Sequence, residues 1–229
     1  MTILRTSYKN RHNCPKAKLW PILLAILFAW FLWGCPAKKE APAGGSAAEV
    51  KDGDTIVLTD GRKVRYLGMD TPELSSTNPK ELEMARLAKK VNAELIQGVK
   101  LRLEYDVERY DQYNRLLAYV FLADGRMVNE ELVRRGLARV LLKFPNLRFR
   151  DELIKAQREA ITNRVGLWQE LPVAQEDHYV GNIRSYRFHR PNCPGAQTIA
   201  PGNRRLIKTP LEAYWEGYSP AKDCFKDGD

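Results

Sequence analysis

The chain has 229 residues, of which 44% are hydrophobic and 10% aromatic, a composition that excludes a disordered protein. The length allows one domain of ordinary size and a small accessory unit. The formal net charge is +9, but five basic residues and no acids lie in residues 1–34, so the remainder carries +4. This surplus is compatible with a polyanionic partner without requiring one.

Residues 1–35 have the pattern of an export signal. A basic stretch precedes an apolar run of about 14 residues, which is shorter than the roughly 20 that span a bilayer. The run ends in Leu32-Trp33-Gly34-Cys35 and resembles a bacterial lipobox, which predicts cleavage before Cys35 and lipid on its sulfur. An uncleaved N-terminal anchor and simple secretion are the alternatives, and all three place the domain outside the cytoplasm.

Strand and helix patterns alternate after a Pro/Ala/Gly/Ser-rich segment, residues 36–48, that predicts a linker. A β-hairpin is predicted over 54–70 with its turn at Asp60-Gly61, followed by a helix over 78–98. Strands are predicted at 99–107, 115–128 and 138–142, with a short helix capped by Asn129 and a last helix over 150–168. Five short strands and three helices within residues 49–172 predict an α+β fold, a five-stranded OB-like barrel with helices against it.

The available side chains restrict the chemistry of residues 49–172. This segment contains no cysteine and no histidine, since the three histidines are His12, His178 and His189. Catalytic triads, a histidine base and histidine-ligated zinc are therefore excluded there. An enzyme built on this segment must use carboxylates, a hard metal ion and arginines.

Carboxylates suited to a hard cation occur at two places. Asp52 and Asp54 flank Gly53 before a strand, and in an extended chain both would project to the same face. Asp70 ends a second strand. Oxygen ligands from Asp54 and Asp70, with a turn carbonyl and waters, would suit Ca²⁺.

Two arginines and a glutamate could complete a phosphodiester-cleaving site. Arg65 and Arg115 could clamp phosphate oxygens while Glu73 accepts a proton from water. Arg65 and Asp70 are five residues apart, so a regular pleat would place them on opposite faces. We therefore expect a bulge or sharp coil near Gly68.

The motifs DGDT, VRYLGMDTPE, DQYNRLLAYVF and DGRMVNEELVRRGLARV, within residues 48–170, resemble the staphylococcal nuclease (thermonuclease) family. The resemblance implies a five-stranded OB barrel with three helices and Ca²⁺-dependent hydrolysis of DNA and RNA that leaves 3′-phosphorylated ends. It also implies residue roles: metal ligands Asp54, Asp70 and the Thr71 carbonyl; catalytic groups Arg65, Glu73 and Arg115; Asp52 behind the ligands; and Tyr113 at the substrate phosphate. Asn114 replaces a common family glycine, and we expect it to keep the turn because asparagine tolerates positive φ.

Residues 178–229 are predicted to form a small ββα-like unit. The pattern resembles the small metal-binding module of DNA phosphotriester-repair proteins, with His189, Cys193 and Cys224 at three ligand positions and Ala221 at the fourth. Zinc usually takes four ligands, so a Cys193–Cys224 disulfide is the favoured alternative to zinc, with free thiols the third possibility.

Together these patterns predict a monomeric, exported nuclease held at a membrane by a lipid or an N-terminal segment, with DNA or RNA as its substrate. A non-catalytic OB-fold lipoprotein that binds nucleic acid is the alternative, because fold does not fix function. A calcium-stabilised structural lipoprotein is a second alternative.

Overall fold

The computed structural model describes residues 44–225. Five strands close into a barrel in the order β1-β2-β3-β6-β5, which confirms the predicted architecture. Among the pairs that close the barrel, β3–β6 is parallel and the others are antiparallel. The barrel strands are β1 Gly44–Val50, β2 Thr55–Leu58, β3 Lys63–Tyr66, β5 Lys100–Glu104 and β6 Leu116–Phe121.

The first barrel strand lies partly within the segment predicted to be a linker. Gly44 to Ser46 pair with β5, and Ala47 pairs with β2. A Cβ on Gly44 would collide with the Leu101 carbonyl, so a residue type that usually marks a flexible linker is required here for a close approach. The predicted boundary between linker and domain at residues 48 and 49 is therefore too late. The predicted export signal, including Cys35, lies outside the described residues.

Three helices accompany the barrel, α1 Pro79–Ile96, α2 Val128–Arg134 and α3 Arg150–Asn163. Helix α1 begins as predicted, with the Asn78 side chain accepting from the Lys80 and Glu81 amides. The predicted capping role of Asn129 is wrong, because this residue lies inside α2 and is fully buried. Its amide accepts from Val120 N at 2.9 Å and donates to Leu67 O at 2.9 Å, joining the helix to strand β6 and to the turn that follows β3.

A short two-stranded ribbon lies outside the barrel and carries one of the predicted metal ligands. Strand β4, Met69–Asp70, pairs antiparallel with β7, Arg139–Val140. The strand predicted over 138–142 is thus shorter than expected and belongs to this ribbon rather than to the barrel. Trp168 was predicted to pack back on the body; it is 1% exposed and packs in the core shared with the C-terminal segment, with its ring 5.1 Å from that of Tyr214.

The C-terminal module, defined here as residues 179–225, contains a four-stranded sheet in the order β10-β8-β9-β11. Its elements are β8 Tyr179–Asn182, β9 Arg187–His189, α4 Pro194–Gln197, β10 Arg204–Ile207, α5 Pro210–Trp215 and β11 Ser219–Pro220. Its core is continuous with Ala160, Ile161 and Trp168 at the end of the preceding domain. None of the helices within residues 44–225 is both long and apolar enough to cross a membrane.

Candidate active site

The acidic loop between β1 and β2 is a tight turn. Asp52 Oδ1 accepts from Asp54 N at 3.0 Å. The sequence suggested an extended segment here, but this hydrogen bond closes a turn. A Cβ on Gly53 would lie 2.6 Å from Thr71 Cγ2 and 2.8 Å from Ala88 Cβ. Only glycine lets the turn approach Thr71 and α1 this closely.

Asp54 is held by donors on both carboxylate oxygens. It is 5% exposed, and its Oδ2 accepts from the Thr71 N–H at 3.0 Å and the Thr71 hydroxyl at 3.1 Å. Its Oδ1 accepts from the Thr55 hydroxyl at 3.1 Å and forms an ion pair with Arg65 Nη1. A buried carboxylate with donors on both oxygens is held in one orientation.

The chain breaks its pleat between β3 and β4, which confirms the irregularity predicted near Gly68. Gly68 has a φ of +74°, and Leu67-Gly68 form a turn between the two strands. Asp70 consequently returns to the side of Arg65, and Arg65 Nη2 forms an ion pair with Asp70 Oδ1. Arg65 thus bridges Asp54 and Asp70, two carboxylates from separate parts of the chain.

The donor set around this bridge is suited to a hard divalent cation. The potential metal ligands that converge here are carboxylate oxygens. Asp54 and Asp70 already hold one cationic group, the Arg65 guanidinium, between them. Two carboxylates that converge in this way are oxygen ligands of the kind that a hard divalent cation prefers. Arg65, predicted to clamp phosphate, instead pairs with both carboxylates, of which Asp54 is the buried one and requires a positive partner.

Arg115 is locked by Asp111 at the entrance to β6. The Arg115 N–H and Nε donate to the two oxygens of Asp111 at 2.9 and 2.7 Å. Burial acts to raise the pKa of Asp111, but these hydrogen bonds outweigh it, and the pKa lies below its ordinary value. Asn114 adopts a φ of +60°, as expected for the turn. Tyr113 is 71% exposed, with its ring 5.5 Å from the Arg115 guanidinium carbon.

Strand register relates the two arginines. In the parallel β3–β6 pair, Arg65 lies opposite Leu117. Arg115 is two residues before Leu117, so an extended chain places it on the same sheet face as Arg65. Side chains on one face of neighbouring strands can reach a common ligand.

Glu73 is placed close in sequence to the carboxylates but is not tied to them by a contact. It follows Pro72, is exposed, and has no side-chain hydrogen bond or ion pair to any residue within 44–225. Its carbonyl accepts from Ser76 N at 3.1 Å, in the turn that leads to α1. Direct contacts therefore connect Asp54, Asp70, Thr71 and Arg65. Glu73 is near them in sequence, and Arg115 and Tyr113 are related to them by strand register, but no contact connects these three residues to the carboxylates.

Comparison with known proteins adds an independent observation. The family model described as staphylococcal nuclease homologue matches residues 63–170. The thermonuclease of Staphylococcus intermedius is 34% identical over 154 residues, covering 64% of this chain and 91% of that protein. The chain belongs to the staphylococcal nuclease family.

Two further proteins to which the chain is similar come from Bacillus subtilis (strain 168). Endonuclease YncB is 42% identical over 124 residues, and the SPbeta prophage-derived endonuclease YokF is 41% identical over 124 residues. The matched segment is 52% of this chain in both cases, but only 58% of YncB and 42% of YokF. The chain thus spans about half the length of these two relatives.

Sequence reasoning missed a buried asparagine that supports the acidic turn of this family member. Asn92 in α1 is fully buried, donates to Gly53 O at 3.2 Å and accepts from the Tyr66 hydroxyl at 2.9 Å. A polar residue on the apolar face of α1 was the available signal. Asp111 was also missed as a partner of Arg115, although both belong to the DQYNR motif.

The predicted metal-binding positions of the C-terminal module contain a disulfide. Cys193 and Cys224 are bonded, with Cα atoms 5.7 Å apart. His189 Nδ1 lies 3.2 Å from Cys224 Sγ, and burial lowers the pKa of His189. The disulfide engages both sulfurs that a zinc site would use.

Proposed function

We propose that the chain is a Ca²⁺-dependent nuclease that hydrolyses phosphodiester bonds of DNA or RNA and leaves 3′-phosphorylated ends. The observation that carries the proposal is the convergence of Asp54 and Asp70 on Arg65 at the edge of the barrel. The relatives named endonuclease and thermonuclease support it. The chain has all five side chains that the family resemblance implies for catalysis: Asp54, Asp70, Glu73, Arg65 and Arg115. Their presence favours an enzyme over a family member that only binds nucleic acid.

In this mechanism the chain supplies the metal ligands, a base and a phosphate clamp. When bound, Ca²⁺ would neutralise charge on the phosphate and on the attacking water. Glu73 accepts the proton of that water as its oxygen bonds to phosphorus. The bond from phosphorus to the 5′ oxygen breaks, and the leaving oxygen takes a proton, so the phosphate stays on the 3′ end.

The arginines act on the charge that develops on the phosphate. Arg115 keeps its geometry through Asp111, and its remaining guanidinium nitrogens can donate to phosphate oxygens. Arg65 contacts Asp54 and Asp70 through one nitrogen each, and its remaining N–H groups would donate to phosphate. Donors held in place before reaction stabilise the transition state without reorganisation.

We also propose that this nuclease acts as a monomer outside the cytoplasm, anchored through lipid on Cys35 or through residues 1–34. The basic and apolar pattern of the N-terminus supports this location. The Cys193–Cys224 disulfide supports it too, because disulfides persist mainly in oxidising compartments. Globomycin treatment of producing cells distinguishes the two anchors: the precursor should accumulate if Cys35 is lipidated and cleaved, whereas unchanged processing would contradict the lipid anchor.

The catalytic proposal is tested by incubating the purified chain with single-stranded DNA, duplex DNA and RNA, in Ca²⁺ or with a chelator. Cleavage should require Ca²⁺, and end-group analysis should find 3′-phosphates. Glu73→Gln and Arg115→Ala should each lower turnover by about 10²-fold or more.

Two matched controls separate catalysis from general damage. Glu83→Gln changes another exposed glutamate, on α1. Arg126→Ala removes an arginine held by Asp124 through the same two contacts, at 3.0 and 2.8 Å, that hold Arg115. Both controls should keep full activity. Unchanged activity in both Glu73→Gln and Arg115→Ala would refute the mechanism.

A further inference from the structure

The ribbon strand β7 lies between the Asp70 strand and the C-terminal module. On one side, β7 pairs with β4, and Leu141 N donates to Gly68 O at 2.9 Å. On the other side, the backbone groups of Val140 bind outside the ribbon. Val140 O accepts from the Ser219 hydroxyl of the module at 3.1 Å, and Val140 N donates to Gln157 Oε1 at 2.7 Å.

The module also binds two residues next to this strand: Gln157 of α3, and Leu142, which lies two residues after β7. Gln157 Nε2 donates to Tyr214 O of α5 at 2.5 Å, so the side chain that holds Val140 N is itself held by the module. Arg187 Nη1 donates to Leu142 O and to the Ser219 hydroxyl, each at 3.3 Å. These groups are buried or nearly so, and an unmet hydrogen bond there would cost about 1–3 kcal/mol.

Support from outside matters because the ribbon cannot hold itself. Strands β4 and β7 have two residues each, and an isolated two-stranded pairing is at best marginally stable in water. Asp54 is fixed by barrel residues and Thr71, whereas Asp70 belongs to this ribbon, with a side chain 31% exposed. The position of Asp70 therefore depends on whatever fixes β7.

Arg187 adds an electrostatic link to the same carboxylate. Burial lowers the pKa of this guanidinium, and the negative charge of Asp70 partly opposes that shift. The contact through which Arg187 reaches this part of the chain is the hydrogen bond from its Nη1 to Leu142 O.

We propose that Ser219 and Arg187 of the C-terminal module are positioning residues for Asp70, acting through β7. The proposal rests on the nuclease function proposed above, in which Asp70 is a calcium ligand. The module is then part of the catalytic unit rather than an independent appendage, and the calcium affinity of the nuclease depends on it.

The test uses the full chain with Ser219→Ala, and with Thr198→Val as the matched control. Thr198 is an exposed module residue whose hydroxyl donates to Gly195 O at 2.9 Å, within its own module. Hydrogen exchange of the Asp70 and Leu141 amides and the calcium dependence of cleavage are measured for each protein. Ser219→Ala should accelerate exchange at both amides and raise the half-saturating calcium concentration by about tenfold. Turnover at saturating calcium should be retained, and Thr198→Val should change neither quantity.

Gln157→Met, which removes the other contact to Val140, should produce the same pattern, and urea unfolding verifies that each variant is folded. Unchanged exchange and unchanged calcium dependence in Ser219→Ala and Gln157→Met would overturn the inference, as would faster exchange with unaltered calcium dependence. An unsubstituted chain that shows no calcium-dependent cleavage would instead overturn the proposed function, and with it the role of Asp70 as a calcium ligand.

Discussion

Asn92 offers a sharp test of how α1 supports the acidic turn. In Asn92→Leu, a side chain of similar size removes the donor to Gly53 O and the acceptor of the Tyr66 hydroxyl. Both groups are buried, and leaving each without a partner costs about 1–3 kcal/mol. Burial of the leucine side chain returns roughly 1 kcal/mol, so we expect unfolding to become easier by about 1–5 kcal/mol.

A double-mutant cycle in urea isolates the two contacts. Tyr66→Phe leaves only the Asn92 Oδ1 without its partner, so it should cost about 1–3 kcal/mol. In the double variant only Gly53 O remains unpaired. Its destabilisation should therefore be smaller than the sum of the two single variants by about the energy of the Tyr66–Asn92 bond. Because Gly53 adjoins Asp54, Asn92→Leu should also raise the half-saturating calcium concentration, whereas Tyr66→Phe should change it less. Additive costs with unchanged calcium dependence would refute this account of the turn.

Two further predictions concern the arginines. Asp111→Asn places an amide N–H against Arg115 and should destabilise the protein by about 1–2 kcal/mol at pH 7. Because folding lowers the pKa of Asp111, its stabilisation is present above the unfolded pKa of about 4 and lost as pH falls through the lower folded value. Urea unfolding should therefore show a smaller difference between the two proteins at pH 3, and a difference constant with pH would contradict this. Arg65→Lys should reduce kcat/KM by about 10²-fold, because a single ammonium nitrogen replaces the two guanidinium nitrogens that contact Asp54 and Asp70 and cannot form a bidentate contact to phosphate. An activity within threefold (about 0.6 kcal/mol) of the unsubstituted chain would contradict the clamp.

The barrel and the break at Gly68 were predictable because their signals are local. Alternating apolar residues marked the strands, and the five-residue spacing of Arg65 and Asp70 required an irregularity that glycine tolerates. The first strand was missed because Gly44 and its neighbours look like linker, and only the close approach of Leu101 O explains them. Asn129 was misplaced for a related reason: asparagine suits a helix cap, but this one satisfies backbone groups of strand β6 and of the turn after β3.

The link between module and ribbon had no sequence signal. Val140 contributes only its backbone N–H and C=O to the contacts with Gln157 and Ser219, and any residue except proline would offer both groups. Ser219 is one serine among many, and its hydroxyl matters because the chain returns to β7 after 79 residues. Contacts of this kind are set by tertiary packing and cannot be inferred from local patterns.

Local hydrogen bonds do not distinguish Arg115, the arginine of the candidate site, from other arginines of the chain. Three turns in the described chain use the same lock, in which an arginine N–H and Nε donate to the two oxygens of one aspartate. The pairs are Asp60–Arg62, Asp111–Arg115 and Asp124–Arg126. Of these three, Arg115 alone directly precedes β6, whose parallel pairing with β3 places Leu117 opposite Arg65. A local hydrogen-bond pattern therefore makes an ordered arginine, and long-range strand register determines whether that arginine can meet a phosphate beside Asp54 and Asp70.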